Sequence, residues 1–460
     1  MTRKNDLTQG SIVKALFRLA LPIMGTSFVE MAYNLTDMIW VGRIGSNAVA
    51  AVGTAGFFTW LGAAFILIPK IGAEVGVAQS VGRKDMDEAK VYIKHSIHII
   101  ISLALLYASV LIVFRKQLIG FFNLKDADIV NNATTYLVIV SCGLVFYFIN
   151  PVFTAIFNGY GESRTPFVIN SLGLVINMIL DPMLILGVGP FPRMEVAGAA
   201  LATIIAQTVA SVAFLIKATG KPELFSKLNI FSAPDTEHIA RIAKLGFPAA
   251  LQSGLFTSIA MVIARIIAQW GPVPIAVQEI GSQIEAISWL TASGFQTAMS
   301  AFVGQNYGAG KWYRIRKGYR VGMTIMSAIG IVATLLLFSV PRQLFSIFVS
   351  EEETIRHGIV YLRILSLSQM FMCIEATSGG AFIGLGKTVP PSVVSITFNA
   401  LRIPAALILS STALGLNGVW WSISMSSVCK GLALSAWFVI MLKRRPEARM
   451  LNDTENLLAG

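Results

Sequence analysis

Glu30, Asn34 and Asp37 stand at i, i+4 and i+7, so one helical face would carry two carboxyls and an amide. Asn177 and Asp181 repeat the i, i+4 spacing, and Pro182 beside them leaves a carbonyl one turn back without its helical donor. Both groups lie in long apolar stretches, where an ionisable side chain at bilayer depth costs at least ~2.5 kcal/mol and needs a reason. Two carboxylates, two amides and a spare carbonyl are the hard oxygen donors that a sodium ion takes. The same pair can instead share one proton, because neighbouring carboxylates in low dielectric resist ionising together. Hydrogen bonding between helices is the structural alternative for Asn177 and Asp181.

What must position these residues is a set of membrane helices. The chain has 460 residues, 55% hydrophobic and only 13% charged, with a mean hydropathy of +0.69. A soluble domain carries roughly 25% charged residues, so a water-soluble globular protein is excluded. Apolar runs fall near 14–42, 48–79, 92–115, 133–159, 165–189, 195–217, 242–270, 275–305, 317–341, 355–384, 388–413 and 417–442, which predicts twelve transmembrane helices. The first helix is expected to be retained, since Arg3, Lys4, Lys14 and Arg18 lead into a full-length span without a small-residue cleavage site. Cys142, Cys373 and Cys429 each lie alone in an apolar stretch and read as core fillers.

The net charge of +12 would suggest nucleic acid in a soluble protein. Here the basic residues occupy the connections. Sorted by alternate loops they divide 24 to 8, which predicts no nucleic-acid partner and both termini on the cytoplasmic side of the inner membrane. Gly220 to His238, with Pro222 and Pro234, is the longest internal polar stretch and splits the runs six and six. The expected organisation is a lobe over 1–219, a cytoplasmic linker over 220–240, a second lobe over 241–445 and a tail over 446–460.

The halves resemble each other at a shift of about 225 residues, as a duplicated transporter does. Leu21-Pro22 matches Phe247-Pro248, Val77 to Gly82 matches Val303 to Gly308, and Gly159-Tyr160-Gly161 matches Gly384-Leu385-Gly386. Six helices separate equivalent positions, so the copies run parallel and predict an all-α fold of two pseudo-symmetric six-helix lobes. A substrate chamber is expected between them.

Leu21-Pro22-Ile23, Tyr33 to Asp37 running on to Val41-Gly42-Arg43, Ala48 to Gly53, Asn177 to Pro182, Gly198 to Thr203 and Val303 to Gly310 together resemble the multidrug and toxic compound extrusion (MATE) family. The likeness covers nearly the whole chain and is nearest in motif to the DinF-like and archaeal branch. It implies a proton- or sodium-coupled exporter of organic cations and amphipathic compounds, with Asn177 and Thr203 completing an ion site at Asp37 and Asp181. Glu30 departs from the family, which usually has an uncharged polar residue there, and reads either as functional or as facing an aqueous cleft. The NorM-like branch carries acids in helices seven and ten. Here helix seven offers Gln252, and Glu375 lies about one turn from the expected place, so a second-lobe sodium site is put in doubt. Glu285 could pair with Arg265 or Arg402.

Under the same shift Asp37 falls on Ile263, Asn177 on Arg402 and Asp181 on Ala406, so the first lobe alone is expected to hold the coupling ion. Tyr136 and Asn150 are the best candidates on helix four to line the cavity beside Asn34. His95 and His98 at i, i+3 lack an acid or thiol in the same turn and read as a solvated or interfacial pair. Gly386-Lys387-Thr388 lacks the upstream glycine of a phosphate loop, Ala381 standing there, and no catalytic constellation is present. The sequence therefore predicts a monomeric, non-enzymatic, alternating-access antiporter with no cofactor beyond its transported proton or sodium. The rival reading is a flippase for lipid-linked precursors, in which Arg265, Arg402 and Lys430 meet phosphates.

Overall fold

A computed structural model describes residues 6–226, 228 and 234–444. The expected tail over 446–460 and part of the linker lie outside the described residues. Those described form seventeen α-helices with one 3-10 turn and no strand. The helices are α1 (Ile12–Gly42), α2 (Ser46–Arg83), α3 (Met86–Val113), α4 (Arg115–Gly120), α5 (Ala127–Cys142), α6 (Leu144–Tyr160), α7 (Arg164–Ile185), α8 (Glu195–Thr219) and α9 (Pro222–Phe225). They continue with α10 (Thr236–Ile267), α11 (Pro272–Gly308), α12 (Trp312–Ser339), α13 (Pro341–Ser346), α14 (Glu352–Gly384), α15 (Val389–Ala400), α16 (Arg402–Ser410) and α17 (Leu416–Lys443).

Ten spans are long and apolar enough to cross a membrane, and the pair α5 and α6, bent by 52°, makes an eleventh. The twelfth is α11, whose 37 residues include Gln278, Glu279, Ser282, Gln283 and Glu285 on an otherwise membrane-length helix. The break between α5 and α6 falls at Gly143, where any Cβ would overlap the side chain of Ile204. The run expected over 133–159 is thus two helices, because α8 presses into its middle. A second break, at Leu401 between α15 and α16, was equally invisible as a composition signal.

The chain divides into two compact units, Leu21–Ala250 and Met1–Ala20 with Leu251–Gly460. The division cuts α1 just before Pro22 and α10 shortly after Pro248, so each long helix contributes to both units. The polar stretch 220–240 falls inside the first unit. In that unit α2 is central and packs against α3, α5 and α6. In the other, α14 is central, packed by α11, α12 and α17, with Tyr361, Leu362, Leu365 and Phe382 buried along it.

The duplication is visible in the packing. Lipid tails give no hydrophobic drive between helices, so association needs backbones close enough for dense van der Waals contact. A Cβ on Gly159 of α6 would lie only 2.6 Å from the Glu74 carbonyl oxygen on α2, so glycine is what permits this close crossing. Its repeat partner Gly384 of α14 stands the same way against the Ser300 carbonyl on α11, and 74 and 300 are themselves one repeat apart.

One expectation is corrected on α3. His95 is buried, 2% exposed, with Nδ1 donating to the Val91 carbonyl at 2.8 Å and Nε2 accepting the Asp235 amide at 2.9 Å. Its ring stacks on His238 at 5.5 Å between centroids. The pair is a fastener for the start of α10, and a partner 140 residues away is what the sequence could not show.

Candidate functional site

Within the unit Leu21–Ala250, α1, α7 and α8 bring four of the expected residues together. Asn177 and Asp181 occupy one face of α7 and are wholly buried. The Asn177 amide donates to Asp181 Oδ1 at 3.1 Å, as the i, i+4 spacing anticipated. From α8 the Thr203 hydroxyl donates to Asp37 Oδ2 at 3.3 Å. The Asp37 and Asp181 carboxyls and the Asn177 amide lie in one another's electrostatic neighbourhood.

Three oxygens of this cluster are buried without any hydrogen-bond partner: Asp37 Oδ1, Asn177 Oδ1 and Asp181 Oδ2. An unsatisfied buried acceptor costs about 1–3 kcal/mol, and three in one cluster call for something that supplies positive charge. Two carboxylates, an amide and a hydroxyl form an oxygen-only donor set, which suits a hard cation or a shared proton. No group of three acids, histidines or cysteines able to hold a metal occurs among the described residues.

Two contributors to this site were not foreseen. Tyr33, one turn before Asp37, donates its hydroxyl to the Thr203 carbonyl at 3.4 Å, and its i, i+4 relation to Asp37 was the available signal. Lys70 on α2 lies in the electrostatic neighbourhood of Glu30, and a lone base inside the apolar run 48–79 was its signal. Glu30 and Asn34 are exposed on α1. Tyr136 is buried and faces both Asp37 and Asp181. Asn150 is spent elsewhere: its amide donates to Gln207 Oε1 at 2.8 Å and to the Gln207 carbonyl at 3.0 Å, and its oxygen accepts from Ser211 at 2.8 Å. These bonds tie α6 to α8.

The remaining candidates belong to the other unit. Gln252 is half-buried on α10. Glu375 forms an ion pair with Lys430 at 3.2 Å. The pairing of Glu285 with Arg265 or Arg402 expected from the sequence is not formed. Glu285 accepts from Gln369 at 3.5 Å, faces Tyr361, and leaves Oε1 without a partner. Ile263 and Ala406 are buried and apolar where the first unit has Asp37 and Asp181.

Twelve membrane helices in two duplicated lobes define the architecture of a membrane transporter. The MatE family model matches residues 22–183 and 248–408, one match per lobe, and the chain belongs to that family. It is similar to a probable multidrug resistance protein NorM of Thermotoga maritima, 28% identical over 411 residues, covering 89% of this chain and 88% of that protein. It is 25% identical over 452 residues to the probable multidrug resistance protein YoeA of Bacillus subtilis, covering 96% of each. A crystal structure of a MATE protein in a bent conformation superposes with a TM-score of 0.89 at 22% identity, over 96% of this chain and 98% of that one. The protein is thus a multidrug-efflux-type membrane transporter and not an enzyme.

Proposed function

We propose that the chain is a cation-coupled antiporter, in which proton or sodium entry at Asp37 and Asp181 drives release of an amphipathic, often cationic, compound by alternating access. The observation that carries this reading is the trio of unpartnered buried oxygens on Asp37, Asn177 and Asp181, which a cation or proton would satisfy. Thr203 and Tyr33 hold the cluster's outer edge. Two adjoining carboxyls out of water cannot both carry charge without a counter-ion, so loading and unloading of that counter-ion is coupled to any rearrangement that wets the site.

The excess of Lys and Arg in alternate connections supports both termini facing the cytoplasm in a bacterial inner membrane. The flippase reading is not pursued, as the named relatives are multidrug resistance proteins. Efflux of a cationic dye from proteoliposomes, under an imposed pH gradient and then a sodium gradient, tests the proposal. Dye release that responds to neither gradient would sink it.

A further inference from the structure

The duplication carries the ion-site positions of the first lobe to a place of opposite charge in the second. At the shift of about 225 residues Asn177 becomes Arg402, and Thr203 falls beside Ser427. Arg402 opens α16 directly after the break at Leu401, well inside the span Val389–Ser410. Its Nε donates to Ser426 Oγ at 2.5 Å and its second terminal nitrogen to Ser427 Oγ at 3.2 Å. Both hydroxyls send their own hydrogens to the Ile423 carbonyl, at 2.8 and 3.2 Å, so their lone pairs are turned toward the guanidinium. The arginine is therefore oriented by α17, and a guanidinium has five N–H donors, of which these contacts use only part.

No carboxylate among the described residues closes on Arg402 as an ion pair. Glu375 is taken by Lys430 at 3.2 Å, which cancels that pair, and Glu285 turns to Gln369 and Tyr361. Glu285 on α11 and Glu375 and Tyr361 on α14 lie in the electrostatic neighbourhood of the guanidinium, which is consistent with Arg402 facing the inside of its lobe. Whenever Glu285 holds a proton, the cluster carries one uncompensated positive charge at membrane depth, where charge without a counter-ion is costly.

We propose that the second lobe carries an anion-recognition site centred on Arg402, with Ser426 and Ser427 as its positioning residues and Glu285 as the nearby carboxyl whose negative charge opposes an incoming anion. The ligand class is an amphipathic compound bearing a carboxylate, which meets the free edge of the guanidinium as a planar, two-bond pair. In its consequence for substrate choice this rests on the export reading above, while binding itself does not.

The test uses the purified full-length protein and two fluorescent probes of one scaffold: rhodamine B, whose carboxylate makes it a zwitterion, and its ethyl ester, a monocation. Binding is read by fluorescence polarisation without a gradient. Arg402→Gln should weaken rhodamine B by roughly tenfold or more, the loss of one charge-assisted two-bond pair, and leave the ester within about threefold. Arg402→Lys should recover part of the loss. Glu285→Gln should move the other way, tightening rhodamine B and weakening the ester. If Arg402→Gln does not fold, Glu285→Gln and the Ser426→Ala, Ser427→Ala double variant carry the test. Equal effects on acid and ester, or none, would overturn the site. Chloride competition without discrimination between the probes would make it a site for a free inorganic anion and overturn the substrate class. Failed ion-driven export beside intact acid discrimination would count against the antiport reading alone.

Discussion

Asp37 is the residue on which the coupling proposal turns, because it alone of the carboxylate pair comes from α1 and meets both α7 and α8. Asp37→Asn keeps the shape and removes the charge, so the purified variant should stay folded while gradient-driven export falls to the level of empty liposomes. Near wild-type export under both gradients would remove Asp37 from the site. Asp181→Asn and Asn177→Ala should weaken the coupling ion more than the substrate, which separate titrations of ion and dye can resolve. Outside the membrane, Tyr160 donates its hydroxyl to Glu223 Oε1 at 2.7 Å and holds that carboxyl below the usual range against the opposing effect of burial. A depressed carboxyl contributes stability that is present above its unfolded value, ~4.3, and is lost as pH falls through the lower folded value. Glu223→Gln should therefore lower the neutral plateau of a melting-temperature profile and flatten its acid limb, leaving the two proteins alike at low pH.

At the level of elements, the two lobes are built on the same close crossings, and these set what the helices tolerate. A Cβ on Gly159 or Gly384 would meet a backbone carbonyl, which cannot rotate away as a side chain can. Gly159→Ala and Gly384→Ala should each cost roughly 1–3 kcal/mol by forcing α2 from α6 or α11 from α14. Thermal unfolding in detergent measures this, and an unshifted Gly384→Ala would show that the crossing relaxes freely. The histidine fastener makes a comparable demand. His95→Ala strands the Asp235 amide and removes the ring stacked on His238, for an expected loss of about 1–3 kcal/mol. Hydrogen exchange should then rise at the start of α10 before it rises elsewhere.

At the scale of the molecule, shared ancestry has left unequal lobes. The first holds buried carboxyl and amide oxygens without hydrogen-bond partners, and the second holds Arg402 and the Lys430–Glu375 pair at membrane depth. Neutralising Glu285 should consequently alter which compounds bind and spare ion coupling. Loss of gradient-driven transport in Glu285→Gln as complete as in Asp37→Asn would move the coupling site into the second lobe. The sequence by itself determined the membrane class, the twelve runs, the duplication and the i, i+4 pairing of Asn177 with Asp181, since these follow from composition and local helical geometry. Only the tertiary structure decided that Thr203 and Tyr33 reach that pair, that Asn150 is consumed by Gln207 and Ser211, and that His95 fastens the start of α10. It also decided that the helix over Ala127–Tyr160 breaks where Ile204 meets Gly143. Each of these depends on which side chain a distant helix brings to the same point, and spacing along one chain segment carries no record of that.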